Sequence, residues 1–208
     1  MQIHPFFEID PSIIQNAEAA AARLAPVFAR IDETTDYNQQ KMLAAFGNAG
    51  VSESHFAAST GYGYGDRGRE ALDSVYAYAL GAEDALVRHN FVSGTHALTV
   101  ALFGVLRPGD TMLSVTGMPY DTLQGVIGLT GDGNGSLREF GIRYEQLDLL
   151  PGGTPDYAGM EQRIHPGIRM VYIQRSRGYS LRPSLFVAEI ERIAAVAKRL
   201  APDCIVMV

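Results

Sequence analysis

Residues 91–102 read "FVSGTHALTVAL", and this stretch decides the interpretation of the fold because a Ser-Gly-Thr-His cluster separates an apolar run from a helical pattern. The residues before the cluster, "ALVRHNFV" (85–92), predict a buried strand. Residues 95–106 predict a helix that the following "RPGD" brings to an end. A strand, a tight turn and a helix in succession are typical of an α/β fold.

The turn itself has the chemistry of an anion site. A helix that begins after Ser93 and Gly94 leaves backbone N–H groups free at its start, where the helix dipole also favours negative charge. Gly94 allows close approach of the backbone, while Ser93 and Thr95 add hydroxyl donors. The same residues also fit an ordinary helix cap, so the cluster alone leaves both interpretations open.

The alternation of strands and helices continues to the last residue. We expect strands at 111–115, 142–149, 169–174 and 204–208, and helices at 121–128, 155–165 and 183–200. This order predicts an α/β protein with a mostly parallel sheet and helices on both faces. The last strand is expected to be central in an open sheet, so we expect the 208 residues to be the first half of a longer protein.

The region before residue 81 is predicted to be helical. One helix covers 11–31, where Pro26 is expected to break or kink it, and a second begins at a cap on Asp36. A third helix covers 66–80 and ends at Gly81. We therefore expect an N-terminal helical segment over 1–50 and a larger domain over 51–208.

Composition excludes several classes of protein. A net charge of −6 and a pI near 5.3 disfavour nucleic-acid binding, since no basic stripe is present. Polar residues interrupt the longest weakly charged run, residues 89–106, so we expect no membrane span. The N-terminus lacks the pattern of a secretion signal, and Cys204 is the only cysteine, so we expect a cytoplasmic protein without disulfides.

Familiar catalytic motifs are missing. "GYGYGD" (61–66) is not the dinucleotide-binding pattern, since Asp66 stands where that pattern has its third glycine, and no G-x-S-x-G of a serine hydrolase occurs. The five histidines have no ligand spacing, so we expect no metal. His96, at a helix start, is expected to be a packed or capping histidine rather than a catalytic base.

Four stretches together resemble a known family. They are "GYGYGDRGRE" (61–70), "VSGTHAL" (92–98), "GMPYDTL" (117–123) and "IQRSRGYSLRPSL" (173–185). In this order they resemble the methionine gamma-lyase-like enzymes, often called aluminium resistance proteins, over residues 35–208. That family belongs to the pyridoxal-phosphate enzymes of the aspartate-aminotransferase-like fold, fold type I. The resemblance implies that residues 51–208 are the first part of a large domain that binds pyridoxal 5'-phosphate.

The resemblance assigns roles at two of these stretches. Ser93, Gly94 and Thr95 would bind the cofactor's phosphate, and Tyr120 would stack on its pyridine ring. From its residues alone, Tyr120 also fits a plain turn position after Pro119.

The other two stretches are assigned in the same way. Tyr62 and Tyr64 would reach the phosphate of a neighbouring subunit, which implies a homodimer or homotetramer with shared active sites. Gln174 and Ser176 would contact the cofactor, and Arg175 would bind the amino-acid substrate. From the residues alone, the two tyrosines also fit an exposed loop, and Arg175 also fits a surface charge.

The catalytic residues themselves are not assigned. These enzymes need a lysine that forms an imine with the cofactor and an aspartate that keeps the pyridine nitrogen protonated. Neither Lys41 nor Lys198, the two lysines of the chain, lies near a strand end, so we expect both groups beyond Val208.

The resemblance implies a carbon–sulfur lyase acting on a sulfur-containing amino acid by removal of its α-proton. The alternatives are another pyridoxal-phosphate enzyme, such as an aminotransferase, and a non-catalytic scaffold that binds a phosphorylated ligand.

Overall fold

The structure is a computed structural model that describes residues 6–62 and 64–208. The chain divides into two compact units, Met1–His89 and Asn90–Val208. The domain boundary that we expected between residues 50 and 51 stays a prediction about the whole protein.

In the first unit, α1 (Pro11–Asn48) and α2 (Arg67–Leu80) pack through a small core of Ala45, Val75 and Ala79. The predicted break at Pro26 and the predicted cap at Asp36 are wrong, because α1 runs through both positions as one helix. A kink at Pro26, the other part of the prediction, stays a prediction. A proline removes one backbone hydrogen bond, and on this exposed helix the remaining turns hold the chain in helical form on both sides.

The ends of α2 agree with the prediction. Asp66 accepts a hydrogen bond at Oδ1 from the N–H of Arg69 at 3.1 Å, which satisfies a free donor of the first turn. Gly81 ends the helix with a φ of 66°, a left-handed conformation that glycine adopts without a steric penalty.

The predicted strand at 85–92 is wrong, since the structure has no strand there. The carboxylate of Asp73 accepts hydrogen bonds at 2.7 Å from the N–H of Val87 and from the guanidinium of Arg88. The Asp73 side chain on α2 thus accepts the Val87 N–H, which in a sheet would have donated to a neighbouring strand. The apolar pattern alone could not show this long-range bond.

The second unit is an α/β layer structure, as predicted. Its elements are α3 (Gly94–Val105), β1 (Thr111–Ser114), α4 (Asp121–Ile127), β2 (Arg143–Gln146), α5 (Tyr157–Arg163), β3 (Met170–Tyr172), α6 (Val187–Leu200) and β4 (Ile205–Met207). The strands are all parallel and lie in the order β2-β1-β3-β4. Between Asn90 and Val208, β4 lies at one edge of the sheet. Its expected central position in the sheet of the whole protein stays a prediction.

Side chains of the sheet alternate between two cores. Met112 and Met170 face one core, which includes Leu102 of α3 and Leu123 of α4. Their neighbours Leu113 and Val171 face the other core, which includes Met160 of α5 and Ile193 of α6. Since successive residues of a strand point to opposite faces, helices cover both faces as predicted.

Candidate functional site

A cavity of about 570 Å³ opens at the carboxyl ends of β1 and β3. Six of the predicted site residues line it: Gly94, Thr95, Tyr120, Gln174, Arg175 and Ser176. Ser93 adjoins them as the residue that caps α3. In open parallel sheets, ligands bind outside the carboxyl ends of the strands, so this edge is the expected place for a site.

Two larger depressions lack this combination of predicted site residues. One of about 850 Å³ runs along α1, and one of about 680 Å³ lies between α3 and β4 with a mostly apolar lining. The chemistry of the lining rather than cavity size therefore identifies the candidate site.

The start of α3 is both capped and able to bind an anion. Ser93 Oγ accepts the N–H of His96 at 3.1 Å, while in the described part of the chain the N–H groups of Gly94 and Thr95 meet no acceptor. A Cβ at Gly94 would meet no atom within 4 Å, so the approach to these donors is open. The turn at Ser93–Thr95 can therefore be a helix cap and an anion site at the same time.

A pair of hydroxyls lies beside these donors. Thr95 Oγ1 lies 2.7 Å from Thr122 Oγ1, which joins the first turn of α3 to the first turn of α4. Thr122 lines the same cavity, and sequence analysis missed it. Its position two residues after Tyr120, at the start of a predicted helix, was the available signal.

Tyr120 is held from three sides. Its N–H donates to Gln174 Oε1 at 2.6 Å, and its ring lies 6.0 Å from that of Tyr179 with an interplanar angle of 28°. A Cβ at Gly178 would come within 2.9 Å of the Tyr120 ring. The neighbouring Tyr179 hydroxyl raises the pKa of Tyr120. Tyr120 also precedes α4 directly, so it is a turn residue and a cavity residue at once.

Gln174, Arg175 and Ser176 differ in whether their side chains already have hydrogen-bond partners within the protein. The side chain of Gln174 is committed to the protein, since Oε1 holds Tyr120 and Nε2 donates to the carbonyl of Ser176 at 3.4 Å. Arg175 is exposed, and its guanidinium has no partner among the described residues. Ser176 accepts hydrogen bonds only at its backbone carbonyl, so the side chains of Arg175 and Ser176 are the two of the three without a partner among the described residues.

Arg182 fixes this segment, and sequence analysis did not assign it a role. Its Nη2 donates to the carbonyls of Gln174 at 3.1 Å and Ser176 at 2.8 Å. Burial lowers the pKa of its guanidinium. The residue lay within a stretch that carries the family resemblance, but its partners could not be inferred from spacing.

Tyr62 and Tyr64 belong to the other unit and are strongly exposed, at 84% and 90%. Arg69 Nη2 donates to the carbonyl of Gly61 at 2.9 Å, which ties their loop to α2. Gly63, between them, lies outside the described residues. Their predicted role at a neighbouring subunit stays a prediction.

Two further residues have local roles. His96 accepts the N–H of Val92 at Nδ1 over 3.3 Å and lies edge-on to Phe91, in agreement with a packed histidine. Lys198 donates to the carbonyl of Cys204 at 2.6 Å, just before β4 begins. Its amine thus lies at the amino end of a strand, whereas the cavity lies at the carboxyl ends.

No group of three or more His, Cys, Asp or Glu side chains within 6–62 and 64–208 could hold a metal ion. In the same ranges, no helix combines the length and the apolar character needed to cross a membrane. The absence of a metal stays a prediction.

The chain is similar to proteins that span about twice its length. The methionine gamma-lyase family model matches residues 13–208. Bacillus subtilis YnbB is 43% identical over 195 residues, which are 93% of this chain and 46% of YnbB. A carbon–sulfur lyase involved in aluminium resistance from Clostridium novyi NT has a TM-score of 0.88 at 46% identity, covering 95% of this chain and 47% of its own. A Listeria innocua protein, proposed to be a cystathionine beta-lyase involved in aluminium resistance, has a TM-score of 0.89 at 42% identity over 96% of this chain and 48% of its own.

Proposed function

Because the chain belongs to the methionine gamma-lyase family, we propose that it forms the cofactor-binding part of a pyridoxal-phosphate-dependent carbon–sulfur lyase for a sulfur-containing amino acid. The observation that carries this proposal is the cavity in which free helix N–H groups, an aromatic ring and an unpaired guanidinium meet. The name of the Clostridium novyi relative supports the same type of reaction.

The start of α3 fits the phosphate of the cofactor. The free N–H groups of Gly94 and Thr95 and the hydroxyl pair of Thr95 and Thr122 supply donors at the positive end of a helix dipole. Ser93 supports them indirectly, because its cap holds the first turn in shape. These donors would bind and orient a dianionic group.

Tyr120 fits the heteroaromatic ring. A planar pyridine ring gains dispersion and quadrupole energy from an aromatic face, in an offset stack rather than a direct sandwich. Pyridoxal phosphate, when bound, supplies an electron sink that makes loss of a substrate α-proton possible. The described residues that line the cavity include no lysine and no aspartate. We place the covalent lysine and the aspartate that protonates the pyridine beyond Val208.

Arg175 fits the substrate. An unpaired guanidinium at the cavity edge can bind the α-carboxylate of an amino acid through two parallel hydrogen bonds. That contact would hold the substrate's Cα near the ring, where the proton is removed before a sulfur leaving group departs.

A homo-oligomer with shared sites completes the proposal. Tyr62 and Tyr64 have exposed hydroxyl-bearing rings on a loop tied to α2. In a homodimer or homotetramer, they would reach the phosphate held by the neighbouring subunit.

The test of the cofactor is covalent trapping. Full-length protein is incubated with pyridoxal phosphate, reduced with borohydride and examined by intact mass and peptide mapping. One reduced adduct per chain, on a lysine beyond Val208, is the expected result. A protein that binds the cofactor but yields no adduct would instead be a scaffold for a phosphorylated ligand.

The test of the reaction is product analysis. We expect L-cystathionine or L-methionine to give a thiol, ammonia and a 2-oxo acid in equal amounts. An aminotransferase would form no thiol and would need a second oxo acid to turn over.

A further inference from the structure

We propose that the segment 174–182, here named the Tyr120 clamp, fixes the orientation of the Tyr120 ring and so sets the angle at which the cavity holds a planar heteroaromatic ligand. The inference rests on the proposed function, since the ligand it concerns is the pyridine ring of the cofactor. Gln174, Gly178, Tyr179 and Arg182 act as positioning residues in this proposal.

The clamp holds the backbone of Tyr120 through Gln174. The side-chain oxygen of Gln174 accepts the Tyr120 N–H at 2.6 Å, and the backbone N–H of Gln174 donates to Thr116 Oγ1 at 2.8 Å. The two bonds tie the loop after β1 to the loop after β3. Tyr120 therefore cannot move along the sheet edge without breaking a half-buried hydrogen bond.

The clamp holds the ring of Tyr120 through Gly178 and Tyr179. Gly178 has a φ of +56°, and a Cβ on it would come within 2.9 Å of both Cδ2 and Cε2 of Tyr120. The backbone of the clamp thus lies directly against the ring, a distance that only glycine permits. Tyr179 adds a nearly parallel ring at 6.0 Å between centroids.

Arg182 keeps the clamp closed. Its Nη2 donates to the carbonyls of Gln174 and Ser176, and its Nη1 donates to the carbonyl of Pro183. The half-buried guanidinium thus fixes the two ends of the loop that carries Gly178. The side chain of Arg182 thus joins the start of an otherwise exposed segment to its end.

The experiment compares Gly178→Ala with Gly131→Ala in the full-length protein. Gly131 also has a left-handed φ, +79°, but a Cβ there would meet nothing within 4 Å. The second variant therefore carries the same backbone strain without contact to a ring. The dissociation constant for pyridoxal phosphate is measured by equilibrium dialysis, and the visible circular dichroism of the bound cofactor reports the asymmetry around its ring.

We expect Gly178→Ala to weaken cofactor binding about fivefold, the equivalent of one aromatic stack, and to change the circular dichroism per bound cofactor. Gly131→Ala is expected to match the unsubstituted protein in both readouts. Tyr179→Ala, which removes a ring without adding bulk, should change the dichroism in the same direction and serves if Gly178→Ala does not fold.

Two other results would overturn the inference, and they differ. If the unsubstituted protein does not bind pyridoxal phosphate, the proposed function fails and the clamp loses its ligand. If the unsubstituted protein binds it and both Gly178→Ala and Tyr179→Ala leave affinity and dichroism unchanged, the clamp alone is refuted.

Discussion

Tyr120 combines a local role with a long-range one. Locally it precedes α4, and at a distance its N–H and its ring are held by residues more than fifty positions later in the chain. A side chain fixed in this way loses little conformational freedom when a ligand stacks on it, which favours affinity.

Replacing Tyr120 tests the stacking role. Tyr120→Ala is expected to weaken pyridoxal-phosphate retention by about fivefold, since an aromatic stack contributes about 1 kcal/mol beyond its buried area. Tyr120→Phe keeps the ring and should retain the cofactor. Lys198→Ala, whose amine bonds to the Cys204 carbonyl, should also retain it. Dialysis of loaded protein with absorbance measurement provides the readout, and full retention by Tyr120→Ala would exclude the stack.

Tyr144 makes stability depend on alkaline pH. Burial raises the pKa of this phenol from its ordinary value of 10 to about 12. The folded state therefore keeps the proton to a higher pH than the unfolded state does. Its contribution is complete below pH 10 and is lost as the pH rises toward 12, by on the order of 2 kcal/mol.

Urea unfolding at pH 9 and pH 11 measures this loss. Tyr144→Phe has no phenol to ionise, so its stability should fall less between the two pH values. An equal fall in both proteins would show that Tyr144 does not cause the dependence.

At the scale of elements, the two ends of α2 could be predicted from single capping residues, whereas the course of α1 past Pro26 could not. Asp66 and Gly81 bound α2 where their chemistry predicts, because a cap bonds within three residues and a left-handed glycine acts at one position. Pro26 does not end α1, because the loss of one hydrogen bond is small against the turns on either side.

The Asp66 cap should contribute measurably to stability. Asp66→Ala removes the acceptor for the Arg69 N–H and is expected to lower the free energy of unfolding by about 1 kcal/mol. Asp66→Asn keeps a capping oxygen while losing the ion pair with Arg69, whose N–O distance is 3.4 Å. Chemical denaturation of both variants separates the two effects. Equal losses would assign the stability to charge rather than to the cap.

At the scale of the whole molecule, a complementation experiment tests the proposal that subunits share their active sites. One variant carries Tyr62→Phe and Tyr64→Phe, and the other carries Tyr120→Ala. If the tyrosines serve a neighbouring subunit, a mixed dimer has one intact site, so co-expression should restore about a quarter of the sites in a random mixture. Each variant alone should be impaired.

Intact mass of the native assembly confirms that both variants are present in one particle. Mixed particles with no gain in activity would show that each subunit supplies its own tyrosines.

Much of the second unit could be predicted because its signals are local. The alternation of strands and helices predicted the parallel sheet with helices on both faces. The Ser93–Thr95 turn predicted where the free backbone N–H groups at the start of α3 lie. The family resemblance supplied Tyr120, Gln174 and Arg175 as candidates. The apolar run at 85–92 predicted a strand that the structure does not have. The N–H of Val87 donates instead to the carboxylate of Asp73, fourteen residues earlier in the chain.

What the sequence by itself determined is the order of helices and strands from residue 94 onward, the caps of α2 and the chemistry available at the turn before α3. Only the tertiary structure decided which side chains remain free: the Gln174 amide is bound by the protein, while the Arg175 guanidinium and the Ser176 hydroxyl have no partner among the described residues. It also decided that Gly178, Thr122 and Arg182 belong to the site. The reason is physical, since hydrogen-bond donors and acceptors must be paired within the fold, and the partners of these residues lie on other loops and helices that the chain brings together only when it folds.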